Sequence, residues 1–307
     1  MRWRSSHRAT AIAAIMGAAV VVAGCQAQGH GTPPAPGTPQ LTVVAPQNNT
    51  VPMPEAPPEP PSAGLDGLDA RMHQATADAA KSGAKTSVFV LDRTTGQTVS
   101  NAGPSFPIAS VVKLFIADDL LLQESKGQTT LSAADHKSLD VMLRSSDDSA
   151  AQNFWDRSGG NAIIARVKAR YGLPGTTAPY NGHWDVTTST ASDLVHYYDM
   201  LLNGGGGLPP EQAEVILGNL AQSTPTGSDG YPQRFGIPEG LYAEPVAVKQ
   251  GWFCCWNGAN QLHVTTGVIG RERRYVMAIG SLDPTGAAAA RDNLTRVVKT
   301  MFPGGKI

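Results

Sequence analysis

The sequence predicts an α/β (α+β) domain at residues 65–307, in which strands from both chain ends form one antiparallel sheet. Two β-branched runs, at residues 86–92 and 97–100, flank a turn near the start of this segment. Three more apolar runs of strand composition lie within residues 244–282. Because helical periodicity fills the sequence between these groups, we expect helices to flank the sheet and to form an all-helical lobe beside it.

The first predicted element is an amphipathic helix at residues 65–81, where apolar residues recur at intervals of three and four. A hairpin follows, and its turn is Arg-Thr-Thr-Gly at residues 93–96. The chain is mainly helical from Ser110 onwards, and some helices begin at cap residues such as Ser132 and Thr190. Further helices are predicted at residues 132–144, 148–157, 160–172, 190–204, 209–221 and 286–301.

The start of the chain has the pattern of an export signal. Three arginines precede an apolar run at residues 9–22, which is too short to cross a bilayer as a helix. Cys25 directly follows Val-Ala-Gly, which resembles a bacterial lipobox. We therefore expect a lipoprotein signal peptide at residues 1–24 and a lipidated Cys25 as the mature N-terminus. The alternative is a secreted protein with an incidental cysteine.

Residues 25–64 differ in composition from the rest of the chain. Eleven prolines lie between positions 33 and 61, and no aromatic residue occurs after Cys25 in this segment. Such a segment buries too little apolar surface to fold, so we expect a disordered, extended stalk. The lipid and the stalk would hold the domain at the outer face of the cytoplasmic membrane, in the cell envelope.

Charge and motif content limit the possible partners. The formal net charge is −1 and no basic run stands out, which argues against nucleic acid as a partner. The sequence shows no phosphate-binding glycine loop and no His or Cys cluster with metal-ligand spacing. We therefore expect no metal and no cofactor, and we expect the protein to be a monomer.

The stretch FPIASVVKLF places Ser110 and Lys113 at the opening of an apolar helical segment. A serine hydroxyl is a poor nucleophile unless an adjacent base takes its proton. A lysine among apolar residues can serve as that base, because desolvation disfavours its charged form. A second Ser-x-x-Lys pair, Ser82 and Lys85, ends a helix and leads into a strand, so its context favours Ser110 as the nucleophile.

Two later clusters complete a pattern: Ser-Asp-Asp-Ser-Ala-Ala from Ser146 and Lys-Gln-Gly from Lys249. Together with Ser110-x-x-Lys113, they resemble the S-x-x-K, S-D-N and K-T-G motifs of the penicillin-recognising serine hydrolases, which include class A β-lactamases and D,D-peptidases. The stretches DVTTSTASDLVHYYDMLLNG and QSTPTGSDGYPQRFGIPEG also resemble sequences that flank the site in class A enzymes. The resemblance extends over nearly all of the domain and implies a β-lactamase/D,D-peptidase-like fold.

The resemblance also implies catalytic roles. Ser110 would be the acylated nucleophile and Lys113 its base. Ser146 would pass a proton to the leaving nitrogen, and Lys249 would attract the substrate carboxylate and tune that proton path.

The resemblance further implies substrate-binding roles around the late strand. Gly251 completes the Lys-x-Gly motif, and the backbone N–H groups of Ser110 and Trp252 would form the oxyanion hole. Arg234 would supply a second positive charge for the substrate carboxylate, or it is a solvated surface arginine.

Two substitutions within the motifs bear on substrate binding. Asp148 replaces the asparagine of the family, and an ionised carboxylate can only accept hydrogen bonds. Asp148 would therefore reject an acylamino side chain, favour a substrate amine, or neutralise Lys113 and so hold it protonated. Gln250 replaces the threonine, and its amide could stand in for the lost hydroxyl, with a different reach.

The third departure concerns deacylation. Class A β-lactamases have a glutamate that activates the deacylating water, but this chain has no glutamate between Ser125 and Pro210. His183 and Asp185 are the titratable candidates near that loop, and we expect any acyl-enzyme to hydrolyse slowly. The segment from Ser110 to Ser146 is also shorter than in class A enzymes, which predicts a more open site.

Cys254 and Cys255 follow the Lys-Gln-Gly motif. In an oxidising compartment they could form a vicinal disulfide, and the alternative is two small apolar side chains on opposite faces of a strand. Trp252, Phe253 and Trp256 beside them would be packing residues or a platform for a ligand.

The sequence thus favours an extracytoplasmic serine hydrolase acylated at Ser110 by a cell-wall peptide or a β-lactam. The alternative is a catalytically silent protein of the same fold that binds peptidoglycan or a partner in the cell envelope. Retention of Ser110, Lys113, Ser146 and Lys249 favours the enzyme, whereas Asp148, Gln250 and the missing glutamate favour the silent binding protein.

Overall fold

The computed structural model describes residues 65–307. The predicted signal peptide, the lipidated Cys25 and the proline-rich stalk therefore lie outside the described residues. Within the described part of the chain, no helix is both long and apolar enough to cross a membrane.

Five antiparallel strands form the main sheet, in the order β2-β1-β7-β6-β5. The N-terminal hairpin lies beside the last strand, so both ends of the domain contribute to one sheet, as predicted. A separate pair, β3 and β4, is too short to show a sequence pattern and was not predicted. The strands are β1 (Lys85–Asp92), β2 (Thr98–Ser100), β3 (Phe106–Pro107), β4 (Thr188–Ser189), β5 (Val246–Trp256), β6 (Asn260–Ile269) and β7 (Tyr275–Asp283).

The helices follow the predicted order, and their bounds agree with the predicted segments to within a few residues. One short helix, α8, was not predicted, because a single turn has no periodicity to detect. The helices are α1 (Leu68–Ala80), α2 (Lys113–Ser125), α3 (Ala133–Arg144), α4 (Asp148–Arg157), α5 (Asn161–Tyr171), α6 (Ala191–Asn203), α7 (Pro210–Ala221), α8 (Ile237–Gly240) and α9 (Ala287–Met301).

Two hydrophobic cores lie on the two sides of the sheet. On one side, α1 and α9 pack together, and Met72 and Leu294 are buried between them and the strands. On the other side, the core joins the sheet to the helical lobe. The central strand β7 is buried along nearly its whole length, because apolar residues cover both of its faces. The mixed architecture with one covered antiparallel sheet confirms the predicted fold class.

Helix α2 is the centre of the helical lobe. Its first ten residues, from Lys113 to Leu122, are all buried, and α3, α4, α5 and α7 surround it. A helix that is enclosed on all sides is expected to be apolar all round, so the charged residues that α2 buries need partners from neighbouring elements. The helix begins at Lys113 and is preceded by a 3₁₀ helix, Ala109–Val112, which contains Ser110.

Candidate active site

Ser110 lies in the 3₁₀ helix between β3 and α2, at the junction of the sheet and the helical lobe. Its side chain is largely buried but reaches the lining of a pocket. The preceding residue, Ala109, has a φ of 46°, in the left-handed region that non-glycine residues rarely occupy. Such strained backbone is often found at functional sites, where the surrounding structure holds it in place.

Lys113 lies at the centre of a polar cluster that consists of Ser110, Lys113, Ser146, Asp148 and Lys249. Its side chain is 0 % exposed, and its Nζ donates to Ser110 Oγ at 2.9 Å and to the backbone oxygen of Ser146 at 2.6 Å. Because Ser110 and Lys113 lie within one helical turn, the predicted contact between their side chains is present in the structure. The geometry allows Lys113, when neutral, to accept the proton of Ser110.

Asp148 forms an ion pair with Lys113, with 2.5 Å between Oδ1 and Nζ. It begins helix α4, and its side chain is 67 % exposed, so the carboxylate faces the pocket as well as the lysine. Burial lowers the pKa of Lys113, and the negative charge of Asp148 opposes that effect. Of the three roles considered for Asp148, the contact required for neutralising Lys113 is therefore present.

Ser146 connects the two lysines of the site. Its Oγ lies 2.9 Å from Lys249 Nζ and 3.2 Å from Lys113 Nζ, and both ammonium groups can donate to it. A hydroxyl that accepts twice can still donate its own hydrogen to a third group. Ser146 itself has a φ of 58°, so a second polar residue of the cluster has left-handed backbone.

Lys249 is almost fully buried on β5, the edge strand of the main sheet. Its Nζ contacts Ser146 Oγ and the backbone oxygen of Gln250, and it makes no ion pair with a carboxylate in residues 65–307. Burial holds the pKa of Lys249 well below its usual range, and the positive charge of Lys113 lowers it further. A bound anion would favour the charged form of this lysine.

Gly251 allows β5 to approach the backbone of Ser110. A Cβ atom on Gly251 would lie 2.5 Å from the backbone oxygen of Ile108 and 3.3 Å from the backbone nitrogen of Ser110. Only glycine permits this distance, because any side chain would displace the strand. The backbone of Trp252, the next residue, is thereby held beside that of Ser110.

Gln250 does not take over the role of the missing threonine hydroxyl in this structure. Its amide nitrogen donates to the backbone oxygens of Gln233 at 3.0 Å and Phe235 at 2.6 Å, so both amide hydrogens are used inside the protein. Its Oε1 is buried and has no partner among the described residues. Gln250 is absent from the pocket lining, because it points away from the cluster that contains Lys249.

Arg234 lies between the two carbonyl groups that hold Gln250. Its side chain is exposed, it makes no ion pair with another described residue, and it does not line the pocket. An exposed side chain without an ion-pair partner is what the alternative of a solvated surface arginine predicts.

A pocket of about 380 Å³ opens beside Ser110. His183 and Asp185 both line it, although they are 73 and 75 positions from the nucleophile in the sequence. The lining consists of Ala109, Ser110, Asp148, Gln152, His183, Trp184, Asp185, Asp229, Trp252 and Phe253. Within residues 65–307, no cluster of three or more His, Cys, Asp or Glu side chains is arranged to hold a metal ion.

Trp184 and Gln152 also line the pocket, and neither was predicted from the sequence. The ring of Trp184 lies 4.8 Å from Lys113 Nζ, and its Nε1 donates to Gln152 Oε1 at 3.1 Å. Gln152 follows Asp148 by four residues on α4, so its place on the same helix face could have been inferred. The contact of Trp184 with Lys113 could not, because it joins segments 71 residues apart.

Trp252 and Asp229 form one wall of the pocket. The indole Nε1 of Trp252 donates to Asp229 Oδ2 at 3.0 Å, and the ring stacks on Tyr231 with 5.0 Å between centroids. The structure joins Cys254 and Cys255, near the exposed end of β5, by a disulfide. Phe253 and Trp256 contact each other edge to face, and of these two only Phe253 lines the pocket.

Comparison with known proteins places the chain among β-lactamase-like proteins. Residues 70–134 match the family model described as "Beta-lactamase enzyme family". Proteins named lipoprotein LppW from Mycobacterium tuberculosis and Mycobacterium bovis are 59 % identical over 255 residues, which cover 83 % of this chain and 81 % of theirs.

Solved structures agree on the fold. The class A β-lactamase from Mycobacterium abscessus has a TM-score of 0.59 at 20 % identity and covers 76 % of this chain and 97 % of its own. PBP-A has a TM-score of 0.63 at 18 % identity, over 76 % of this chain and 95 % of its own. A variant of PBP-A, similar at a TM-score of 0.63 and 18 % identity over 78 % of this chain and 96 % of its own, is an acyl-enzyme complex with penicillin G.

Proposed function

The chain belongs to the LppW lipoprotein family, and from this premise and its β-lactamase fold we propose that it is a lipid-anchored serine hydrolase. In this proposal a cell-wall peptide or a β-lactam acylates Ser110, and the acyl-enzyme hydrolyses slowly or not at all. The contact that carries the proposal is the 2.9 Å hydrogen bond from buried Lys113 to Ser110 Oγ at the edge of the pocket.

Acylation would begin with proton transfer from Ser110 Oγ to neutral Lys113. The oxygen attacks the substrate carbonyl, and the resulting oxyanion accepts hydrogen bonds from the backbone N–H groups of Ser110 and Trp252. The carbon–nitrogen bond then breaks, and the leaving nitrogen receives its proton from Ser146 Oγ, which regains one from Lys113. Lys249 holds the substrate carboxylate, which supplies the anion that its buried ammonium lacks.

Slow deacylation follows from the residues around Ser110. The glutamate that activates the deacylating water in class A β-lactamases has no counterpart between Ser125 and Pro210, and no carboxylate among residues 65–307 hydrogen-bonds directly to Ser110. Trp184 covers Lys113 on one side and further restricts the space for such a water. His183 and Asp185 line the pocket and remain the candidates for a weak base.

The lipid anchor at Cys25 belongs to the same proposal. The lipobox-like Val-Ala-Gly-Cys and the name of the relatives support it. Membrane fractions of cells that express the parent should contain the protein and incorporate labelled palmitate into it. The Cys25→Ser variant should lose the label and leave the membrane fraction, whereas retention of both would contradict the anchor.

Intact mass after incubation with benzylpenicillin tests the acylation. We expect the full-length protein to gain one adduct that persists for hours, and the Ser110→Ala variant to gain none. The matched control is Ser82→Ala, which removes the other Ser-x-x-Lys serine and should leave the adduct unchanged. An adduct on Ser110→Ala would place the nucleophile elsewhere.

A second candidate function is binding without catalysis, at the same cleft and with the same peptidoglycan or envelope partners. The ion pair with Asp148 and the ring of Trp184 both favour protonated Lys113, which cannot act as a base. The absence of an adduct from the parent with any β-lactam or cell-wall peptide would favour this candidate.

A further inference from the structure

The pocket beside Ser110 has one sign of charge at its surface. Asp148, Asp185 and Asp229 line it, and none of the described lining residues is a lysine or an arginine. The two lysines of the site lie behind this surface, fully or almost fully buried. A ligand that reaches Ser110 therefore meets three carboxylates before it meets a cation, and such a surface attracts positive charge.

The carboxylate of Asp148 can accept a second partner. Only Oδ1 contacts Lys113, and with 67 % of its side chain exposed the group is accessible from the pocket. A carboxylate has about four acceptor positions, and a primary ammonium has three donors. The charge of Asp148 is thus available to a ligand that binds next to the nucleophile.

Asp229 is held in a fixed orientation at the opposite wall. Its Oδ1 accepts the backbone N–H of Tyr231 at 2.9 Å, and its Oδ2 accepts the indole N–H of Trp252 at 3.0 Å. Both donors are neutral, so the negative charge of Asp229 is not cancelled by a basic side chain. Asp185, in the 3₁₀ helix Trp184–Val186, adds a third negative charge to the lining.

We propose that the acyl donor of this protein carries a primary ammonium group on the side chain attached beside the carbonyl that Ser110 attacks, and that Asp148 binds this ammonium. The inference rests on the proposed function and names the substrate class of that site: amine-bearing peptides, or β-lactams with an amino group on the acyl side chain. Asp185 and Asp229 contribute long-range attraction.

The same contact would activate the nucleophile. A substrate ammonium at Asp148 shares the charge that otherwise stabilises protonated Lys113. Because burial lowers the pKa of Lys113 and Asp148 opposes this, sharing Asp148 shifts the lysine towards its neutral form. Lys113 is shielded from solvent, so its proton passes along the hydrogen bond to the exposed carboxylate of Asp148 and from there to water in the pocket, and Lys113 can then accept the proton of Ser110.

Three penicillins that differ at one carbon of the side chain provide a matched test. Benzylpenicillin has no charge at that carbon, ampicillin has an amino group and carbenicillin has a carboxylate. At pH 6 the amino group is protonated, since an α-amino group has a pKa of about 7.7. We expect the full-length protein to be acylated about tenfold faster by ampicillin than by benzylpenicillin, and about tenfold slower by carbenicillin.

Variants identify the residue responsible. Asp148→Asn should reduce the rate differences among the three compounds to about twofold, and Asp185→Asn should reduce them partly. The control is Asp292→Asn, which changes the net charge equally at an exposed position on α9 and should preserve the full order. Equal rates on the parent, or an unchanged order in both pocket variants, would overturn the proposal.

Binding to Ser110→Ala separates this inference from the proposed function. Calorimetry should give the same order of affinity for the three compounds, because this variant binds them without acylation. If the parent forms no adduct but Ser110→Ala binds ampicillin most tightly, the hydrolase proposal fails and the ammonium site stands. If the parent is acylated at equal rates and Ser110→Ala binds all three equally, the ammonium site fails alone.

Discussion

Asp118 and Lys113 are both buried on helix α2, but the groups around them differ. Asp118 is fully enclosed, and it accepts hydrogen bonds from Arg170 and from the hydroxyl of Tyr171. Lys113 is buried to the same extent, yet its partner Asp148 is two thirds exposed and faces the pocket. One ion pair is closed to ligands, and the other is open to them.

The contrast between the two clusters indicates which buried charged group can exchange a proton. Arginine keeps its proton at any ordinary pH, so Arg170 can only hold Asp118 in place. A buried lysine can lose its proton, and the exposed partner of Lys113 can be shared with a ligand. The Asp118 cluster therefore stabilises the lobe, whereas the Lys113 cluster can change its protonation state.

Removing the carboxylate of Asp118 from its cluster with Arg170 and Tyr171 should cause the greatest loss of stability. Asp118→Asn keeps the shape but leaves the guanidinium of Arg170 without its carboxylate, so we expect the free energy of unfolding to fall by about 3–5 kcal/mol. Urea denaturation followed by circular dichroism measures it, and Asp292→Asn serves as the exposed control. A loss below about 1 kcal/mol would show that water compensates Arg170 and that the cluster is not closed.

The pH dependence of stability should also reveal the loss of a proton on burial at His263. Burial lowers the pKa of His263 to about 4, below its usual value of about 6.5. The unfolded chain therefore binds more protons between these values, and the unfolding free energy should fall by about 3 kcal/mol as the pH drops from 7 to 4.

Denaturation at pH 7, 5 and 4 measures this effect, with His263→Gln as the comparison that should lack most of it. Asp92 and Asp135, whose partners lower their pKa to about 2, act mainly below pH 4. A parent and a His263→Gln variant with the same pH profile would show that the ring is hydrated in the folded state.

The stability lost on removing the carboxylate of Asp148 should depend on pH, whereas the stability lost on removing that of Asp118 should not. Asp148→Asn should lower the pKa of Lys113 further, because it removes the charge that opposes the effect of burial. At pH 7 the unfolded chain then holds the proton of Lys113 more tightly than the folded chain does, which reduces stability. We expect a loss of about 1–2 kcal/mol at pH 7 that narrows by pH 9.5, where the lysine is neutral more often in both states.

Denaturation of Asp148→Asn and Asp118→Asn at both pH values measures the contrast. The deficit of Asp118→Asn should stay constant, because Arg170 does not titrate in this range. A deficit of Asp148→Asn that is equally constant would mean that Lys113 stays charged, and would support the silent binding protein.

The smallest effect is expected at Arg234. Because its side chain is exposed and outside the pocket lining, Arg234→Ala should change the acylation rate less than about twofold and the stability by less than about 0.5 kcal/mol. Intact mass over time measures the rate. Lys249→Ala is the matched loss of a cation inside the cluster, and it should slow acylation about 100-fold. Equal losses of acylation rate in Arg234→Ala and Lys249→Ala would indicate that Arg234 binds the substrate.

The order of the elements and the Ser110–Lys113 pair could be predicted from the sequence alone. Period-two and period-3.6 patterns are local, so they place the strands and helices without knowledge of their neighbours. Ser110 and Lys113 share one helical turn, so their contact is also local. The convergence of Ser146 and Lys249 on this pair followed from a resemblance to a known family, since neither lies near it in the chain.

The partner that each polar side chain contacts depends on the tertiary structure. From the sequence, Asp148 could reject an acylamino side chain, attract a substrate amine or neutralise Lys113. Its 2.5 Å contact with Lys113 depends on how α4 packs on α2. The amide of Gln250 is held by two carbonyl groups 15 and 17 residues earlier, and Asp229 is held at the pocket by the backbone of Tyr231 and the indole of Trp252. Such partners depend on distances of a few tenths of an ångström between distant segments, which no local pattern encodes.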